Sequence, residues 1–185
     1  YYGGFNVFLS FSEGNKVKVG SEVAGTGKIA TSTYAIYHSA GCVLTLDTYN
    51  EVMHYFADPE TTGGQGAGFG FEGDFEFNVL DLQDEKITLK GRKTGSTMTM
   101  TPMPVSMSWD DYIVALKEEE SAISKHTRIR YQTADNKYDG RINGRTLEIF
   151  SEVDGEQVTT SYPFIFNLMG VTFYKPLELG DERID

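Results

Sequence analysis

Phe5-Asn6-Val7-Phe8-Leu9-Ser10-Phe11 runs through Ser12-Glu13-Gly14-Asn15 into Lys16-Val17-Lys18-Val19, and the reading of this stretch decides the fold class. Phe5, Val7, Leu9 and Phe11 occupy every second position and make one wholly apolar face, the period of a half-buried β-strand. Glu13-Gly14-Asn15 supplies turn residues, and Val17 and Val19 then alternate with Lys16 and Lys18 in a returning strand. The stretch predicts an antiparallel hairpin.

The same alternation recurs along the chain. Tyr34 and Ile36, then Cys42, Leu44 and Leu46, then Phe75, Phe77 and Val79, then Ile87 and Leu89, then Met98 and Met100 each alternate with polar or small residues. After the middle of the chain come Ile129 and Tyr131, Leu147 and Ile149, the turn Asp154-Gly155, the run Val158, Thr160, Tyr162, Phe164 and Phe166, and finally Val171 and Phe173. Short strands separated by turns every ~8–12 residues indicate antiparallel pairing rather than a parallel sheet. One segment departs from this pattern. Ser108 reads as an N-cap with Asp111 three residues on, and Trp109, Tyr112, Ile113 and Leu116 fall at helical spacing, predicting an amphipathic helix over 109–121. Trp109 is placed on its buried stripe, and Glu118, Glu119 and Glu120 on a solvated face. The expected fold is therefore all-β: an antiparallel up-and-down barrel or β-sandwich of about nine or ten strands with one amphipathic helix.

The chain is read as a single β-rich domain, 1–185. An alternative division gives halves at 1–104 and 125–185 bridged by helix 109–121. Tyr34-Ala35-Ile36 before Gly41-Cys42-Val43-Leu44 weakly echoes Tyr162-Pro163-Phe164 before Gly170-Val171-Thr172-Phe173. Composition fits a folded chain that buries a core without metal or disulfide: 185 residues, 39% hydrophobic and 13% aromatic. The net charge of −11 opposes phosphate backbones and anionic membranes, so no nucleic-acid partner is expected. Cys42 is the single cysteine, which excludes an internal disulfide, and its alternation with Leu44 and Leu46 reads as a small core residue.

Function, if local, is expected between Asp47 and Asp74, the longest stretch without strand alternation. It holds Tyr49, His54, Tyr55, Phe56, Asp58, Phe69 and Phe71 beside a glycine cluster, a composition suited to an aromatic platform for a sugar or peptide. Packing of these rings beneath their own loop is the competing reading. Gly68-Phe69-Gly70-Phe71-Glu72-Gly73 matches the dinucleotide string, but a strand rather than a helix follows it, so no cofactor is expected. Gly27-Lys28 lacks the rest of a phosphate loop. Asp135, Asp139 and Gly140 partly match calcium-loop spacing, but Lys137 stands at a ligand position, and a polar turn is expected there. His38, His54 and His126 are scattered, so no metal site is assigned. Asp47, Asp58, Glu72, Asp74 and Glu76 could supply the paired carboxylates of glycoside cleavage; a hydrolase using them or His54 is the second functional reading, with no catalytic residue assigned. A structural or adhesive module is the third.

The chain also resembles a family of uncharacterised Bacteroidetes lipoproteins at Gly3-Gly4-Phe5-Asn6-Val7-Phe8-Leu9-Ser10-Phe11, at Leu44-Thr45-Leu46-Asp47-Thr48-Tyr49-Asn50 and at His54-Tyr55-Phe56-Ala57-Asp58-Pro59. Gly73-Asp74-Phe75-Glu76-Phe77, Leu89-Lys90-Gly91-Arg92-Lys93 and Gly170-Val171-Thr172-Phe173-Tyr174-Lys175-Pro176 extend the similarity over most of the length. The resemblance implies an exported protein at the cell envelope, anchored to the outer membrane by a lipid on an N-terminal cysteine that this sequence lacks. It further implies encoding near outer-membrane nutrient-uptake machinery, and so uptake proteins as partners besides a glycan, peptide or small-molecule ligand. Tyr1-Tyr2-Gly3-Gly4 leads straight into the first strand, as expected of a chain whose export segment and linker have been removed.

Overall fold

The computed structural model describes residues 3–60, 70–132, 137–153, 155–179 and 182–184. The protein is mostly β, with antiparallel sheets curled into half-barrels and two helices among the described residues. The chain divides into two compact units, one formed by Val7–Asp111 and the other by Tyr1–Asn6 together with Tyr112–Asp185.

The first unit is a seven-stranded sheet whose spatial order is its chain order: β1 (Val7–Ser12), β2 (Lys16–Ser21), β3 (Ala30–His38), β4 (Cys42–Leu46), β5 (Glu76–Gln83), β6 (Lys86–Gly91) and β7 (Thr97–Met100). The opening hairpin forms as read, with Phe8 opposite Gly20 and Leu9 opposite Val19. Its inward side chains, Val17 and Val19, join Leu44, Leu46, Phe77 and Leu89 in one core. A seven-residue helix, α1 (Glu51–Ala57), contributes Val52 and Met53 to that core. The residues 47–74 were expected to be irregular, so α1 is a correction. Two helical turns inside a loop carry too few residues to display a period, and a short helix of this kind is held by tertiary packing rather than by propensity.

The second unit pairs β12 (Gly170–Phe173), β11 (Glu156–Asn167), β10 (Thr146–Val153), β9 (Lys137–Asn143) and β8 (Arg128–Gln132) in that order, with a separate ribbon of β13 (Leu177–Leu179) and β14 (Glu182–Ile184). Its core gathers Leu147, Ile149, Tyr162, Phe164, Phe166, Leu177 and Leu179 around Leu116 of helix α2 (Trp109–Ser124). The Ser108 cap is present: its hydroxyl accepts from the Asp111 N–H at 3.1 Å and donates to the Asp111 carboxylate at 2.7 Å. The helix runs three residues beyond the expected 121.

The strands number fourteen among the described residues, against about nine or ten expected from spacing. The difference arises at β9, whose inner positions Tyr138, Gly140 and Ile142 include a glycine, and at β13 and β14, which are three residues each and too short to display a period. Four further expectations are corrected. Cys42 is exposed, because it opens β4 opposite His38 at the hairpin tip, one step beyond the covered part of the sheet. Asp139 and Gly140 lie inside strand β9 rather than in a turn, and Asp135 falls outside the described residues. Phe5 precedes β1 and belongs to the second unit, where it packs beneath Arg145. Glu120, expected in a solvated run, pairs with Lys117 at 2.7 Å and Arg145 at 3.2 Å. Trp109 is half-buried and stacks on Phe8 at 5.7 Å, over Gly20, where a β-carbon would lie 3.0 Å from the indole.

Candidate functional site

Asn50 builds the site from below. Its side chain is 1% exposed, and its carboxamide oxygen accepts from the Val52 and Met53 N–H groups at 3.2 and 3.1 Å, capping α1. The amide nitrogen donates to the Ser32 hydroxyl at 3.0 Å and to the Ala30 carbonyl at 3.4 Å, which fastens the cap to β3. With Val52 and Met53 thereby directed into the core, the next two positions of α1, His54 and Tyr55, are left more open.

Two aromatic groups result. In the first, the His54 ring lies on Phe75 at 4.5 Å with planes 18° apart, and Tyr49 packs on His54 at 4.8 Å with planes 43° apart. His54 Nδ1 accepts from the Asn50 N–H at 3.2 Å in the tautomer that leaves Nε2 protonated. Tyr49 is 74% exposed. In the second group, Tyr55 and Phe71 each pack on Phe56, at 5.5 and 5.9 Å, and on each other at 5.9 Å. Phe56 is only 8% exposed and forms the base; Tyr55, at 37%, is the member most open to solvent. The loop returns against α1 through Gly73, whose N–H donates to the Phe56 carbonyl at 2.7 Å, and where a β-carbon would come within 2.6 Å of the Phe56 Cβ. Gly70 holds a φ of +57° and passes just as closely over the Asp58 carbonyl.

Asp58 ends α1: its N–H donates to the His54 carbonyl at 2.9 Å and its carboxylate accepts from the Glu60 N–H at 2.9 Å. Phe69 lies outside the described residues. Of the seven residues singled out, the structure therefore brings Tyr49 to His54, and Tyr55 to Phe56 and Phe71, while Asp58 serves the helix end.

The remaining acidic residues are dispersed in role. Asp74 is buried and accepts from the Lys93 N–H at 2.8 Å, the Thr94 N–H at 3.2 Å, the Thr94 hydroxyl and the Ser96 hydroxyl at 3.3 Å, so it organises the turn between β6 and β7. Glu72 is exposed in a left-handed conformation at φ +52°, and Asp47 is exposed. Among the described residues no three His, Cys, Asp or Glu side chains converge as metal ligands would, and no helix is long and apolar enough to cross a membrane.

Sequence reasoning did not single out Arg128, Arg130, Arg141 and Phe150, which border a pocket of about 500 Å3 on the second unit. The signal for the first two was present in Arg128-Ile129-Arg130, where alternation sets two arginines on one strand face.

Comparison with curated proteins and with solved structures returned no match. A family model, however, spans residues 1–185, and the chain belongs to that family, the domain of unknown function DUF4302.

Proposed function

We propose that this protein is a non-catalytic binding module of the cell envelope, lipid-anchored at the outer membrane, which takes a glycan, peptide or small molecule for nutrient-uptake machinery on the aromatic surface of α1. The location and partners rest on the resemblance described above. The site rests on one observation: Tyr49 and Tyr55 stand exposed on rings that are themselves fixed, Tyr49 on the stacked pair His54–Phe75 and Tyr55 on buried Phe56. A ring whose position is already fixed loses little conformational freedom when a ligand covers it, so its apolar face is available at low entropic cost. Hydrolysis fits less well, because Asp74 is committed to backbone and hydroxyl donors and Asp58 to the end of α1.

Screening the soluble chain on glycan and peptide arrays, with and without divalent metal, identifies the ligand class. Replacing Tyr49 and Tyr55 together by Ala then removes two ring contacts of about 0.5–1.5 kcal/mol each, an affinity loss of roughly five- to 150-fold. The melting temperature should fall only slightly, since Tyr49 is 74% exposed and Tyr55 lies at the solvent edge of its cluster. A large thermal loss with binding intact would refute the assignment.

A further inference from the structure

The outward face of β8, β9 and β10 holds a like-charge pair that folding alone does not favour. Cross-strand register sets Arg128 opposite Arg141 and Arg141 opposite Glu148, while Arg130 lies opposite Asp139 and Asp139 opposite Phe150. Like charges directly opposite one another on a sheet are destabilising. Here three arginines meet two carboxylates on one strand face of a chain whose net charge is −11.

The two carboxylates hold arginines without using up their donors. Asp139 takes Arg130 through Nε at 2.6 Å, and Glu148 takes Arg141 through Nε at 2.6 Å. A guanidinium has five N–H donors, so capture at Nε leaves the Nη groups to point elsewhere. Arg128 has no hydrogen bond or ion pair among the described residues. Exposed ion pairs contribute little to stability, so their effect here is positional. Both carboxylates remain ionised to do this: the hydrogen bond from Arg130 holds Asp139 below its ordinary range, and those from Asn143 and Arg141 do the same for Glu148. An apolar wall completes the site, for Phe150 is 38% exposed and the Arg141 guanidinium carbon lies 5.8 Å from its ring centre. Together with Ile129 these groups bound the pocket of about 500 Å3.

We propose that this face binds a small ligand that carries an oxyanion beside a flat apolar side, the anion between Arg128 and Arg141 and the apolar side on Phe150. Bidentate guanidinium contacts suit carboxylate, sulfate and phosphate alike, and an aromatic face accepts a sugar or an aryl ring. The site is built only from residues of the second unit and does not rest on the α1 reading.

Backbone-amide and arginine Nε–H NMR titrations of the whole chain test the assignment, with glucuronate, benzoate, inorganic sulfate and uncharged glucose as probes at low ionic strength. Glucuronate or benzoate should shift Ile129, Gly140 and Arg141 and bind about tenfold or more tightly than glucose. Which of the two binds better distinguishes a sugar from an aryl source. Arg128→Gln should weaken that binding about tenfold while leaving thermal stability equal or slightly raised, because the opposed charges are relieved. Phe150→Ala should weaken glucuronate and benzoate but not sulfate. The double variant Tyr49→Ala, Tyr55→Ala should bind these probes unchanged. Equal shifts from glucose and glucuronate, or full binding by Arg128→Gln, would overturn the proposal, and so would sulfate binding as tightly as both ring-bearing probes.

Discussion

The two units meet the same requirement by different chemistry. Each is a curled antiparallel meander with helical side chains in its core, yet the first fixes its helix with a buried amide and the second with a nearly buried arginine. Asn50 ties α1 to β3 through neutral hydrogen bonds. Arg145, whose side chain is 11% exposed, joins Glu120 of α2 at 3.2 Å, donates to the Gly4 carbonyl at 2.5 Å, and lies over the rings of Phe5 and Phe166 at 4.3 and 5.0 Å. The cores differ accordingly. Val17, Val19, Leu44 and Leu46 dominate the first, whereas Tyr162, Phe164 and Phe166 in the second offer ring faces on which a guanidinium can rest. An amide cap suits a short helix whose start must be set. An arginine can reach several partners at once and so gathers the N-terminal segment, a helix and a sheet within one unit.

Arg145→Met should produce the largest effect among single changes that separate the two devices. It takes away one of the two cations on Glu120, the donor to the Gly4 carbonyl and the guanidinium over Phe5 and Phe166, and a loss of about 3 kcal/mol is expected from urea unfolding. Arg145→Lys should recover only part, because an ammonium cannot hold planar stacking and the forked hydrogen bonds together. If the lysine variant were fully stable, a point charge would suffice and the contrast with Asn50 would shrink to charge alone.

Asn50→Ala should cost less, about 1–3 kcal/mol, combining a lost cap with an unpaired Ser32 hydroxyl. Hydrogen exchange should quicken in α1 before it does in the strands. Asn50→Ser restores the acceptor and should recover part of the loss; no recovery would shift the weight to the bonds with Ser32 and Ala30.

The smallest effect concerns pH. Burial raises the Glu120 pKa, but its bonds to Lys117 and Arg145 outweigh this and hold it below the ordinary 4.5. A lowered carboxyl pKa means that the unfolded chain binds the proton more readily. The contribution is therefore present above about pH 4.5 and fades as pH falls through the folded value. Glu120 is partly open to solvent, so under about 1 kcal/mol is expected. Glu120→Gln should flatten stability against pH in that window, and an unchanged profile would remove Glu120 from the arginine assembly.

The candidate site was legible in part. Tyr49, His54, Tyr55, Phe56 and Phe71 could be named because aromatic residues crowd a stretch without alternation. That Phe56 is a base and Tyr55 a surface could not be read, since burial depends on Gly73 pressing back on α1. The role of Asp74 was hidden for a similar reason: its donors lie about twenty positions downstream, at Lys93 and Thr94.

By itself the sequence determined the β-strands of the opening hairpin, their antiparallel return and the capped start of α2, because alternation and capping are imposed by neighbours within a few positions. Only the tertiary structure decided that α1 forms, that Cys42 is exposed, and that Arg128 faces Arg141. Which face of a strand is covered, and what stands opposite it, depends on residues distant along the chain, and short-range pattern carries no record of them.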